Sequence, residues 1–76
     1  MKERILEILE EVCGDSIVRE ELDLDLFEAG LLDSLGMIEL LIQLEEKVSI
    51  AIEPTEVDRE DINTANKLIC YVEKRK

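Results

Sequence analysis

Apolar positions recur with helical spacing from the start of the chain. In "ERILEILEEVCG", Ile5, Ile8, Leu9 and Val12 share one face, and Met1 and Leu6 flank that stripe. Glu3, Glu7, Glu10 and Glu11 occupy the other side. One apolar and one acidic face predict a helix lying on a core. Gly14 is placed to end it in a left-handed conformation. The period is then lost. Across 15–33, "DSIVREELDLDLFEAGLLD", Leu22, Leu24 and Leu26 alternate with Asp23 and Asp25. Alternation suits a strand, but Asp is a poor strand former and no second strand is available to pair. The reading is a long loop that lays its leucines and Phe27 on the core. Loops of that length are uncommon unless functional.

Helical spacing returns at about Ser34 and runs to Val48. On a wheel of about 100° per residue, Met37, Leu40, Leu41, Leu44 and Val48 share one broad arc. Leu35, Ile38 and Ile42 fall on a separate arc, bordered by Glu45 on one side and by Glu39 and Glu46 on the other. Gln43, Lys47 and Gly36 complete the polar remainder. Two explanations fit this surplus. Either the helix is central and buried on most sides, or the second arc is an exposed apolar patch with an acidic rim, the mark of a docking site.

A short third helix is expected after Pro54 and Thr55, with Thr55 and Asp58 spaced as a capping box. A last helix follows in "TANKLICYVEKRK", capped by Asn63 or Thr64, with Ala65, Leu68, Ile69 and Val72 as its stripe. Lys74, Arg75 and Lys76 suit the negative end of its dipole. The expected architecture is all-α. It is one domain over 1–76: a small four-helix bundle, three helices longer and one short, with a long loop between the first two.

Composition narrows what such a bundle does. Phe27 and Tyr71 are the only aromatic residues, so the core is aliphatic. The formal net charge is −11, which disfavours nucleic acid and anionic membrane surfaces. Basic protein surfaces, cations or small molecules remain as partners, and the same charge also keeps a small protein in solution. Cys13 and Cys70 lie far apart without a CxxC motif, and each is expected to act as a small buried hydrophobe in a reducing cytosol. No apolar stretch reaches membrane-spanning length and the first residues are charged, so a cytoplasmic protein without direct membrane insertion is expected. No oligomer is expected. The Asp-Leu-Asp spacing suggests a calcium loop, but Phe27 stands at a ligand position, Glu28 replaces the turn glycine and Ser34 replaces the final Glu.

Asp33-Ser34 opens the second helix. The plain role for such a pair is capping. A nucleophilic role for Ser34 needs a base, and the chain has no His; no Lys is near it in sequence, and Asp33 alone is a poor base for a hydroxyl. Clustered metal ligands and a glycine-rich phosphate loop are also missing, so the chain is not expected to be an autonomous enzyme. Ser34 can instead be a point where another enzyme attaches a group. A helix N-terminus tolerates a phosphate ester, and Gly36 relieves crowding at a helix-propensity cost of about 1 kcal/mol.

"FEAGLLDSLGMIELLIQLEEKVSIAI" resembles the acyl and peptidyl carrier protein family, in which a D-S-L triplet opens the second helix after a glycine and two apolar residues. The likeness extends over nearly the whole chain. It implies a covalent 4′-phosphopantetheine on Ser34, with Asp33 and Leu35 completing the signature, added by a phosphopantetheinyl transferase. It also implies that Leu35, Ile38, Glu39 and Ile42 meet partner enzymes, with Glu45 and Glu46 on the rim. Gly36 after the triplet, "EPTEVDREDINT" and "NTANKL" make it most similar to the family's carriers of D-alanine in teichoic acid D-alanylation. A D-alanine-activating, ATP-dependent ligase would load the arm, and a membrane acyltransferase system would receive the cargo for cell-wall biogenesis. A polar cargo needs no shelter, so no large acyl cavity lined by Met37, Leu41 and Leu44 is expected. Fatty acyl, polyketide or aminoacyl transfer remains a second reading, and an unmodified helical interaction module a third.

Overall fold

The computed structural model describes residues 2–75; the positions expected for Met1 and Lys76 lie outside them. Five helices follow in order: α1 (Lys2–Cys13), α2 (Ile17–Glu20), α3 (Ser34–Val48), α4 (Arg59–Ile62) and α5 (Ala65–Lys74). Three are long, as the periodicity predicts. One short helix, α2, was not foreseen, because a single turn inside 15–33 is too brief to display a period. Among the described residues there is no strand.

The helices meet on one aliphatic core. Ile5, Ile8 and Leu9 of α1, Leu40 and Leu44 of α3, and Leu68 and Val72 of α5 are all buried. Leu6 and Leu41 join them, while Val12, Met37 and Val48 pack at the margin. Gln43, placed by the wheel among polar positions, is buried instead. Its Nε2 donates to Glu39 Oε1 at 3.2 Å, and its Oε1 has no partner among the described residues. α3 is therefore enclosed over more of its circumference than its one apolar core arc suggests. Cys13 is half-buried and Cys70 is exposed. Cys70 thus departs from the expected buried hydrophobe, since the α5 stripe of Ala65, Leu68, Ile69 and Val72 already fills the inner face.

The segment 15–33 is a packed loop. α2 presses Val18 into the core. Arg19 bridges back to α1, donating through Nε to Glu10 Oε1 at 2.9 Å and through Nη1 to Glu3 Oε1. Leu26 is fully buried, and Leu22, Phe27 and Leu31 pack partly against the core. Gly30 adopts φ +75°, a left-handed conformation that costs a glycine little. That turn brings Leu31 and Leu32 back so that both amides donate to the Leu26 carbonyl, at 3.0 and 3.1 Å.

Terminal chemistry matches the sequence at three ends and departs at one. Gly14 has φ +71° at the end of α1. Asp33 caps α3, and Thr64 caps α5 by accepting from the Lys67 amide at 3.1 Å. The short helix starts later than "PTEVDRED" suggests. Its capping box is Asp58 with Asp61, not Thr55 with Asp58. Glu53 and Glu56 exchange hydrogen bonds in a separate turn one step earlier, so Thr55 lies in that turn and has no helix to cap.

Candidate functional site

The N-terminus of α3 divides two tasks between adjacent residues. Asp33 has extended backbone geometry, and its Oδ1 accepts the Gly36 amide at 2.7 Å. This satisfies one of the orphan donors of the first turn. Because Asp33 does the capping, the Ser34 hydroxyl is released from it. Ser34 is exposed as the first helical residue. Gly36 permits the close approach: a Cβ there would lie 3.1 Å from Leu32 Cδ1 and 3.2 Å from Asp33 Oδ1. Its absence leaves room for both the buried leucine and the capping carboxylate.

Sequence reasoning missed the second side chain at this point. Arg59, the first residue of α4, donates through Nη2 to Ser34 Oγ at 2.9 Å. Its guanidinium also lies over the Phe27 ring, 5.0 Å from the centroid, within cation–π range. Arg59 makes no ion pair among the described residues. Its one sequence signal was isolation: it is the only basic residue between Lys47 and Lys67, in a stretch holding Glu53, Glu56, Asp58, Glu60 and Asp61. Periodicity gives no means of pairing it with a serine 25 residues away.

Phe27 is itself held in place. Asp25 Oδ1 accepts the amides of Phe27 and Glu28 at 3.0 and 3.1 Å, and Asp25 Oδ2 accepts from Asn63 Nδ2 at 3.0 Å. Asn66 holds the neighbouring leucine and aspartate: its amide donates to the Leu22 carbonyl at 3.0 Å and its Nδ2 to Asp23 Oδ1 at 2.8 Å. The alternating aspartates of the loop thus serve as acceptors for the two asparagines of "NTAN".

Beside Ser34, the second arc of α3 faces outward. Leu35 is 79% exposed, Ile38 45% and Ile42 46%. These values decide between the two explanations of the surplus: the arc is a surface patch. Glu39, Glu45 and Glu46 around it are exposed as well. An open depression of about 140 Å³ adjoins it, lined by Ile38, Leu41, Ile42, Glu45, Ile52, Glu53 and Pro54. Leu41 borders that depression but Met37 and Leu44 do not.

The arrangement suits an esterified phosphate. It offers an exposed hydroxyl, a cation already touching its oxygen, and the positive end of a long helix. It does not suit autonomous nucleophilic catalysis, because a guanidinium stays protonated and cannot serve as the base. Among the described residues, no helix is long and apolar enough to cross a membrane.

Comparison with known proteins agrees with this chemistry. Residues 3–72 match the family described as phosphopantetheine attachment site. The D-alanyl carrier protein of Abiotrophia defectiva is 49% identical over 75 residues, spanning 99% of this chain and 95% of that protein. That of Lactococcus lactis subsp. lactis (strain IL1403) is 50% identical over 76 residues, spanning 100% and 96%. That of Bacillus subtilis (strain 168) is 46% identical over 68 residues, spanning 90% and 87%. The chain therefore belongs to the phosphopantetheine-attachment carrier family and, within it, to the group of the D-alanyl carrier proteins.

Proposed function

We propose that this chain carries D-alanine as a thioester on a 4′-phosphopantetheine arm attached to Ser34 Oγ. A phosphopantetheinyl transferase installs the arm from coenzyme A, forming the Ser34 Oγ–P bond as the pyrophosphate linkage breaks and adenosine 3′,5′-bisphosphate leaves; an ATP-dependent ligase adenylates D-alanine with loss of pyrophosphate and passes it to the arm's thiol with loss of AMP. A membrane acyltransferase system takes the amino acid for D-alanylation of (lipo)teichoic acid. The protein acts in the cytoplasm, as a cofactor-bearing substrate of these enzymes, and does no chemistry of its own. The observation that carries the reading is the exposed Ser34 hydroxyl, relieved of capping by Asp33 and set beside an outward apolar arc.

Each local residue has a part. Asp33 fixes the first turn of α3, and so the position of Ser34. No His exists in the chain, so the Ser34 proton is removed by a base of the transferase. When bound, the phosphopantetheine supplies a flexible arm ending in a thiol. Leu35, Ile38 and Ile42 supply the apolar contact for partner enzymes, and Glu39, Glu45 and Glu46 attract basic groups around it. Leu35 stands directly after Ser34, so a partner on this arc lies beside the arm's root.

The test is an intact-mass measurement after incubation with coenzyme A and a phosphopantetheinyl transferase. Addition of one phosphopantetheine to the wild type and none to Ser34→Ala is the expected result. No addition, or equal addition to Ser34→Ala, overturns the attachment. Ligase assays on the product then compare D-alanine with L-alanine and fatty acids. Preferential loading of an acyl chain overturns the choice of cargo while leaving the attachment intact.

A further inference from the structure

We propose that Arg59 is the residue that binds the phosphate of the arm and fixes the arm's root. The inference rests on attachment at Ser34 and adds a residue that the D-S-L signature does not contain.

Arg59 already touches the oxygen to which the phosphorus would be joined. Its Nη2 lies 2.9 Å from Ser34 Oγ. Any non-bridging phosphate oxygen lies one O–P–O span from Oγ, within the sweep of the same guanidinium. A phosphodiester has no proton to give and carries a full negative charge. A planar, permanently charged donor fork is the side chain best matched to it. The charge is available, since Arg59 pairs with no carboxylate among the described residues.

The fork is also oriented in advance. The Phe27 ring lies beneath it at 5.0 Å. The backbone of Phe27 is held by Asp25, whose other oxygen is held by Asn63 immediately after α4. The guanidinium is thus supported through both the loop and the α4–α5 junction, which limits the ordering cost of gripping an anion. The need follows from the charge of the chain. A phosphodiester adds negative charge to a chain already at −11, close to the Asp33 carboxylate. Without Arg59 only the positive end of α3 would offset that charge beside Asp33. With it, the root of the arm is held at the junction of the loop, α3 and α4, and the thiol end stays mobile.

The experiment compares wild type, Arg59→Gln and Arg59→Lys, each converted with coenzyme A and a transferase and confirmed as fully modified by intact mass. The first readout is the ³¹P NMR resonance of the phosphodiester. In the wild type it is displaced and broadened by immobilisation; in Arg59→Gln it narrows towards the free-arm position; Arg59→Lys falls between. The second is the melting temperature of modified minus unmodified protein, which is lower in Arg59→Gln than in wild type by about 2 °C. Subtracting the unmodified form removes any structural cost of losing the Phe27 contact. Identical ³¹P shifts and widths in wild type and Arg59→Gln, or identical melting differences, overturn the role of Arg59 while attachment stands. Absence of mass addition to the wild type overturns the attachment itself, and this inference with it.

Discussion

Asn63 Nδ2 donates to Asp25 Oδ2 at 3.0 Å, joining residues 38 apart in sequence. Around this bond the loop and the α4–α5 junction are stitched together, since the Asn63 carbonyl also accepts the Leu26 amide at 2.7 Å. Asp25 is the richer partner, because its Oδ1 takes two more amides. Asp25→Ala is therefore expected to cost about 2 kcal/mol and Asn63→Ala about 1 kcal/mol. The smaller figure also reflects Asn63 Oδ1, which is buried without a partner among the described residues. Deleting it relieves a desolvated oxygen. The double variant should lose less than the sum of the two. Chemical denaturation of all four proteins measures this, and strict additivity would show that the bond contributes nothing.

The same bond explains what was legible in the sequence. α1, α3 and α5 could be read because their stripes repeat within a few residues and their caps are local: Asp33 with Gly36, Thr64 with Lys67. Segment 15–33 could be placed on the core but not built, because Asp23 and Asp25 take their partners from α5 and the turn before it. The likeness of "NTANKL" to other carriers was visible as a pattern; its work as donor to the loop was not. Ser34 was legible as a candidate because its neighbours form a signature. Arg59 was not, because its pairing with Ser34 depends on where the loop and α4 come to rest.

The outward arc of α3 predicts a separation of activity from stability. Leu35→Ala removes a side chain that is 79% exposed, so its stability cost should stay within about 0.5 kcal/mol. Ile38→Ala, about half-buried, should cost more but less than a core truncation. Leu44→Ala, fully buried, should cost about 2–5 kcal/mol. If the arc meets the ligase, Leu35→Ala and Ile38→Ala lower kcat/KM for loading by about tenfold each, the loss of about 1.4 kcal/mol of contact. Charge reversal at Glu39 or Glu46 should instead make loading less sensitive to salt. Unchanged kcat/KM in both apolar variants would remove the arc from the loading interface.

The two thiols should differ in reactivity on the unmodified protein. Burial pushes the Cys13 thiol above its usual range, and Asp15 adds to the effect. Cys70 is exposed. A maleimide or disulfide reagent at neutral pH should therefore modify Cys70 first, since access and thiolate fraction both hold Cys13 back. The shift also has a sign for stability. The folded state keeps the Cys13 proton more tightly than the unfolded chain, so its contribution is complete below the ordinary thiol pKa of about 8.5. That contribution is lost as pH rises through the higher folded value. Cys13→Ser should flatten the alkaline fall in stability relative to Cys70→Ser. Equal alkaline slopes in the two variants would refute it.

Net charge sets the response to salt, and two opposing terms decide its sign. Salt screens the ion pairs Arg19–Glu3, Arg19–Glu10, Lys47–Glu11 and Arg75–Glu56, which lowers stability. Each is solvated on at least one side, so each contributes little. Salt also screens repulsion among 20 acidic residues against 9 basic ones, which raises stability. At about 0.1 M the screening length is about 10 Å, less than half the longest extent of the molecule, 26 Å. Low ionic strength thus leaves much of the surface in mutual repulsion that added salt removes. Repulsion acts over more pairs than attraction does, so the melting temperature should rise with sodium chloride. It should rise further with a divalent cation at equal ionic strength, because carboxylates attract the higher charge. Arg19→Gln removes two of the pairs and should steepen the rise. A flat or falling series, or one unaltered by Arg19→Gln, would mean that the local pairs outweigh the repulsion of the whole.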